Sequence, residues 1–359
     1  MKGLVLKSTG KWYEVKAEDG LVYQCQIRGK FRLKGSTTTN PVAAGDHVEF
    51  TLENETNGNI NAIDERRNYI IRKSVNLSKE AQIVASNIDM AFLVVTTNRP
   101  QTTPGFIDRF LITAEAYGVE TVLVFNKIDQ YAEMGEWENG EMGERDHRQA
   151  HGPENEKMRK WENEALRQAQ GPDDEEEEDF EEKYAGLERV EELIEIYNGI
   201  GYVCLKTSVF TEEGMEELKA MMSGKVCLLS GHSGTGKSSI VNYFIPEGDI
   251  RIGDISESSN KGQHTTTFAE MHELPFGGYI VDTPGIKGFG LVDIPKDELH
   301  HYFKEFFAAL PNCKFNNCKH INEPGCAVIK GAEEGTIAAS RYNSYLSMFE
   351  DEDERSQYR

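Results

Sequence analysis

Asn126-Lys127-Ile128-Asp129 stands 105 residues ahead of Gly231-His232-Ser233-Gly234-Thr235-Gly236-Lys237-Ser238, and that order decides the fold. The second stretch matches G-x-x-x-x-G-K-[ST], a loop that cradles phosphates. Gly231, Gly234 and Gly236 let the backbone curl with its N–H groups inward, around His232, Ser233 and Thr235. The helix that follows, through Ser239, points its positive end at the anion. Lys237 neutralises β- and γ-phosphates, and the Ser238 hydroxyl ligates Mg²⁺. The first stretch reads as a guanine selector. The Asp129 carboxylate accepts two hydrogen bonds from the guanine N1–H and N2–H₂ edge, a donor pair that adenine lacks. Lys127 lies over the base, and Asn126 ties the selector to the phosphate loop. In an ordinary GTP-binding domain the phosphate loop comes first. The reversed order predicts a circularly permuted α/β domain.

The strands around these motifs agree. Met90 to Thr96 is a continuous apolar run, as expected of a buried parallel strand. Ile107 to Tyr117 has helical spacing. Thr121 to Phe125 is a strand delivering Asn126. Gly201 to Leu205 is another, followed by Lys206-Thr207-Ser208, where Thr207 and Ser208 fit a supporting role for the guanine base. A helix over Met215–Met222 leads into Val226 to Leu229, which feeds the phosphate loop. Gly278 to Val281 ends at Asp282-Thr283-Pro284-Gly285. Ligand residues at the carboxyl ends of strands are the rule for open α/β sheets.

Asp282 supplies the magnesium-side acid, acting through water, and the Gly285 N–H faces the γ-phosphate. Such a segment orders or relaxes with the γ-phosphate present or absent. Gly262-Gln263-His264-Thr265-Thr266-Thr267 lies between phosphate loop and Asp282. Thr266 or Thr265 is the candidate Mg²⁺-sensing switch threonine. Residue 286 is Ile, which cannot orient water, so His264 is the candidate for positioning the attacking water. Two other classes fit part of the pattern: a nucleotide-dependent binding module that has lost hydrolysis, and an ATPase.

Near the C-terminus Cys313-x₄-Cys318-x-His320-x₅-Cys326 places four soft ligands within 14 residues. Three thiolates and an imidazole match a closed tetrahedral Zn²⁺ site of structural type. The remaining thiols, Cys25, Cys204 and Cys227, sit in apolar strands and read as core.

Residues 1–75 read as short strands separated by turns, with Trp12–Val15, Val22–Ile27 and His47–Phe50 as strands and Gly20, Gly29, Gly35, Gly45 and Gly58 as punctuation. A small β-barrel of OB type is expected. Arg28-Gly29-Lys30-Phe31-Arg32-Leu33-Lys34 interleaves cations with an aromatic, a pattern that suits a phosphate backbone and a stacked base or a charged strand edge that deters pairing.

The formal net charge is −22, which by itself argues against a nucleic-acid partner. The charge is unevenly spread. Residues 130–186 hold 19 acidic and 7 basic residues, whereas residues 1–75 hold 12 basic and 9 acidic ones. An RNA-facing N-terminal surface is therefore compatible with the acidic total. The 130–186 segment contains a near-repeat, Arg148–Glu154 against Arg167–Asp173, and reads as a disordered or loosely helical insertion. No apolar run is long enough to cross a membrane, and no signal peptide is evident. A cytoplasmic, monomeric protein is expected.

Together these residues resemble the small ribosomal subunit-dependent GTPase A family (RsgA, also called YjeQ). The resemblance rests on the basic N-terminus, the permuted motif order, the Gly-x-His-Thr-Thr-Thr switch and the Cys-x₄-Cys-x-His-x₅-Cys cluster. It implies an OB-fold RNA-binding domain over 1–75. A circularly permuted GTPase domain follows over 76–290, and a mostly helical zinc-binding domain over 291–359. It also implies late maturation of the small ribosomal subunit through its rRNA, with GTP hydrolysis stimulated by that subunit. The acidic insertion is the departure from the pattern.

Overall fold

The computed structural model describes residues 1–27, 41–73, 81–131, 174–246, 269–282 and 294–357. The His264, Thr265, Thr266 and Gly285 positions lie outside the described residues, as do the Arg28–Lys34 stretch and residues 132–173.

The N-terminal strands are β1 (Lys2–Ser8), β2 (Tyr13–Ala17), β3 (Val22–Ile27), β4 (His47–Leu52) and β5 (Asn57–Ile63). They pair in the order β1-β2-β3-β5-β4, and β4 returns to β1. The ladder is antiparallel throughout except for the parallel β3–β5 pair. Closure removes the exposed edges. Alternate residues face inward, so Val5, Tyr13, Val15, Tyr23, Cys25, Phe50 and Ile60 fill the barrel. Gly58 does not mark a turn as expected from sequence. It lies inside β5, where a Cβ would come within 2.9 Å of the Phe50 ring and 3.1 Å of the Thr51 carbonyl. Its lack of a side chain lets the barrel wall close there. β1 and β5 were not legible as strands because neither has a long β-branched run.

A hairpin of β6 (Tyr69–Lys73) and β7 (Ala81–Ser86) follows. The larger domain contains β8 (Met90–Val95), α1 (Pro104–Ala116), β9 (Glu120–Asn126), α2 (Asp174–Gly199), β10 (Val203–Thr207), α3 (Met215–Met222), β11 (Val226–Gly231), α4 (Lys237–Phe244), β12 (Glu270–Glu273) and β13 (Tyr279–Asp282). The strand order is β10-β9-β8-β11-β13-β12, parallel but for β12. All six residues of β8 are buried, because helices cover both faces. Ala91, Leu93 and Val95 join the core shared with α1 and α2, whereas Met90, Phe92 and Val94 join the core shared with α3 and α4.

The acidic segment is more ordered at its ends than expected. Tyr131 is buried and Gly186 packs on its ring, where a Cβ would come within 2.6 Å. Thr97 Oγ1 lies 2.8 Å from Tyr131 Oη and 2.9 Å from the Gly186 carbonyl. Residues 174–186 are the first part of α2.

The barrel meets the larger sheet where Lys7 of β1 pairs with Glu270 of β12, and Lys7 and Lys16 form ion pairs with Glu270 and Glu273. Arg66 holds both oxygens of buried Asp46 at 2.6 Å, and Ser86 Oγ donates to the same carboxylate. The C-terminal region is helical, with α5 (Lys304–Ala309), α6 (Ala327–Glu334) and α7 (Ala339–Gln357). Its core takes in Ile112 of α1, so this one helix serves two domains.

Candidate functional site

The parallel strands of the central sheet bring their carboxyl ends to one edge. Register fixes this: Asn126 pairs with Thr207, Val94 with both Val124 and Gly231, and Leu228 with Val281. The predicted motifs at the ends of β9, β10, β11 and β13 therefore meet although they are scattered along the chain.

At the end of β9, Asn126 is buried and its Nδ2 donates to the Thr235 carbonyl at 2.8 Å. Thr207 Oγ1 in turn donates to Asn126 Oδ1 at 3.1 Å. This chain of bonds joins selector, β10 and phosphate loop. Lys127 sits in the left-handed region, φ 63°, and its Nζ donates to the Arg99 carbonyl at 3.0 Å. Asp129 follows in a 3₁₀ turn over Ile128–Gln130. Ser208 Oγ donates to Asp129 Oδ1 at 2.5 Å. Ser208 Oγ itself accepts the Phe210 and Thr211 N–H groups, each at 3.1 Å. The two residues read from sequence as support for the base thus support the selector through their side chains.

The phosphate loop is shaped by close backbone approach. Gly231, Gly234 and Gly236 all have positive φ, at 144°, 83° and 95°. A Cβ on Gly236 would come within 2.2 Å of Asn126 Nδ2, and one on Gly231 within 2.4 Å of the Val94 carbonyl. Gly236 caps α4, whose first turn carries Lys237, Ser238 and Ser239. Its aligned N–H groups favour negative charge. Lys237 Nζ donates to the carbonyls of Gly231, at 2.9 Å, and His232, at 2.5 Å. Thr235 Oγ1 donates to the His232 carbonyl at 2.9 Å. The His232 ring stacks on Phe106 of α1, with centroids 3.9 Å apart. Burial and the Lys237 charge push its pKa below the usual histidine value, which favours the neutral form of the stacked ring. This contact left no sequence signal beyond an aromatic two residues before Asp108. Asp282 ends β13, which β8 and β11 separate from β9.

The predicted metal ligands also converge. One donor atom from each of Cys313, Cys318, His320 and Cys326 falls within 4.8 Å of the others. His320, at φ 58°, turns Nδ1 toward Cys326 Sγ at 3.2 Å and Cys313 Sγ at 3.7 Å. Backbone N–H groups of Ala327 and Ile329 donate to the Cys313 and Cys326 sulfurs at 3.3 and 3.4 Å. Burial pushes the Cys318 thiol up to about 12 and raises that of Cys326. A divalent cation reverses that penalty, because its charge favours the thiolate. Three sulfurs and one imidazole fit a tetrahedral metal site. The other thiols are pushed up by burial, Cys25 to about 11 and Cys204 and Cys227 to about 12, consistent with inert core residues.

The RsgA GTPase family matches residues 63–161 and 178–292, and the RsgA N-terminal domain matches residues 2–60. The small ribosomal subunit biogenesis GTPase RsgA of Bacteroides fragilis (strain ATCC 25285) is 45% identical over 354 residues, covering 99% of this chain and 98% of that protein. Its counterpart in Flavobacterium psychrophilum is 47% identical over 357 residues, covering 99% and 94%. The crystal structure of YjeQ from Thermotoga maritima superposes with a TM-score of 0.67 at 33% identity, covering 98% of this chain and 97% of that one. YloQ, described as a circularly permuted GTPase, shares the fold with a TM-score of 0.64 at 24% identity over 99% and 95% of the two chains. The reversed motif order is thus a circular permutation, and the chain belongs to the RsgA GTPase family of GTP hydrolases.

Proposed function

We propose that this chain binds GTP with Mg²⁺ at the sheet edge, hydrolyses it in response to the small ribosomal subunit, and so times its own departure during late subunit maturation. The observation that carries the nucleotide reading is the bond from Asn126 Nδ2 to the Thr235 carbonyl. It ties a guanine-type selector to a phosphate-type loop, so that one ligand spans both. The names of the relatives, small ribosomal subunit biogenesis GTPases, support the ribosomal role, as does a five-stranded closed barrel of a type that binds oligonucleotides.

In this reading Asp129 accepts the guanine N1–H and N2–H₂ donors, and Asn126, Thr207 and Ser208 hold the selector in place. Lys127 packs on the base. The N–H groups of residues 231–237 cradle the phosphates, and Lys237 exchanges its carbonyl partners for phosphate oxygens. Ser238, Asp282 and a threonine of the switch, Thr265 or Thr266, serve Mg²⁺. Water positioned by His264 attacks the γ-phosphorus, the bond to the β-γ bridging oxygen breaks, and GDP and phosphate leave. Ile286 offers no water-orienting group, so hydrolysis is slow until the subunit completes the site. The four C-terminal ligands hold one structural Zn²⁺, which supplies cross-linking and no catalysis.

GTP turnover measured with and without purified small subunits tests the proposal. Stimulation of at least tenfold is expected, and unchanged turnover overturns the ribosomal role. Asp129→Asn tests the base assignment by the same assay. Preference shifts to xanthosine triphosphate, whose base presents an acceptor where guanine has a donor.

A further inference from the structure

Phe210 lies on the turn after β10, two residues beyond Ser208, and its side chain is 84% exposed. The nine other exposed large apolar side chains among the described residues range only from 60% at Leu21 down to 39% at Trp12. Leaving a phenylalanine in water forgoes most of the gain that burying it brings. The turn that carries it is not loose. Ser208 Oγ accepts the Phe210 N–H, and the Ser208 N–H donates to the Glu213 carbonyl at 3.0 Å. Gly214 closes the turn at φ 67°, where a Cβ would come within 2.0 Å of the Lys206 carbonyl. Val209 beside it packs into the core shared with α3 and α4, which holds the backbone while the Phe210 ring stays outside.

Two hydrogen bonds fix the position of the backbone that carries that ring. The Phe210 amide lies 3.1 Å from Ser208 Oγ, which lies 2.5 Å from Asp129 Oδ1. A rigid turn anchored on the carboxylate assigned to the base edge therefore carries a solvent-exposed aromatic side chain. Planar rings stack on nucleobases whatever the base, whereas a carboxylate reads the edge. We propose that Phe210 stacks on the guanine base, supplying affinity while Asp129 supplies selectivity. This rests on the guanine reading of the site.

The test compares wild type, Phe210→Ala, Phe210→Trp and Asp129→Asn for binding of GDP, IDP and pyrophosphate by calorimetry, with circular dichroism as the check on folding. Phe210→Ala is expected to weaken GDP and IDP alike by about tenfold or more, with pyrophosphate unchanged. The preference for GDP over IDP should survive in Phe210→Ala and collapse in Asp129→Asn. Phe210→Trp should keep GDP affinity, and its emission should be quenched on GDP addition. Equal GDP affinity in wild type and Phe210→Ala overturns the proposal, including the case in which Phe210→Ala loses only ribosomal subunit binding. No GDP binding by wild type overturns the guanine reading itself, and Phe210 stacking with it.

Discussion

Arg341 Nη1 of α7 lies 2.7 Å from Asp108 Oδ1 of α1, and both side chains are fully buried. The guanidinium also donates to both oxygens of Glu305 from α5, at 2.7 and 3.1 Å. Tyr197 Oη of α2 donates to the same Asp108 oxygen at 2.7 Å. Lys304 adds a 3.0 Å ion pair to Glu115, one turn from Ile112. Helix α1 thus carries the C-terminal domain on one face and stacks Phe106 on the phosphate loop from its first turn. Any tilt of α1 is felt at both ends.

Asp108→Ala should destabilise the docked C-terminal domain by about 3–5 kcal/mol, because it leaves a buried cation with one partner fewer. Asp108→Ala combined with Arg341→Leu and Glu305→Leu should recover part of that loss, since it removes all three charges and with them their desolvation cost. Denaturant unfolding followed by limited proteolysis of the C-terminal region checks both. A triple variant weaker than the single one rules this out.

Gly236→Ala sets a Cβ against Asn126 Nδ2 in a backbone conformation unfavourable to side chains. The expected result is loss of the Asn126–Thr235 bond and at least tenfold weaker GDP binding. The fold should survive, since the barrel core and the C-terminal core are untouched. Titration with a fluorescent GDP analogue, beside a thermal melt, separates the two effects.

Metal analysis should find one zinc per chain, lost in Cys318→Ser. Chelation should unfold α6 and the 313–326 loop, because their core is built around the ligands. GDP binding should persist at first, since no predicted nucleotide residue lies in that domain. Retention of protease resistance after zinc removal contradicts a structural role.

Excising residues 134–172 should leave GDP binding unchanged and the melting free energy within about 1 kcal/mol. Tyr131 and Gly186 are clamped together through Thr97, so the ends of the segment are held by the domain. Helix α2 starts twelve residues before Gly186, about 18 Å away along its axis. A flexible replacement of roughly ten residues spans that distance. Calorimetry on the excised chain decides it, and a large loss of stability assigns the segment a folding role.

Acid should weaken the chain through His272, whose pKa burial lowers from its usual value. The unfolded chain then binds a proton at pH values where the folded one does not. Stability contributed by the neutral ring is present above about 6.5 and falls as pH drops below it. The pH dependence of unfolding should flatten in His272→Phe, and an unchanged curve excludes this residue as the cause.

The sequence by itself determined the permuted order of the motifs, the parallel strands that feed them, the closed barrel class and the Cys3His cluster of candidate metal ligands. These are legible because each is local. A phosphate loop needs glycine at fixed steps, a buried strand needs an unbroken apolar run, and a metal ring needs ligands a few residues apart. Only the tertiary structure decided which distant residues complete those motifs. Asn126 and Thr235 are 109 residues apart, and Asp108 and Arg341 are 233 apart. An asparagine at a strand end or an arginine on a helix carries no mark of its partner. The pairing is set by how the sheet closes and how α1 is shared. The same holds for Phe210, an ordinary residue in the sequence until Ser208 and Asp129 pin its turn at the edge of the nucleotide site.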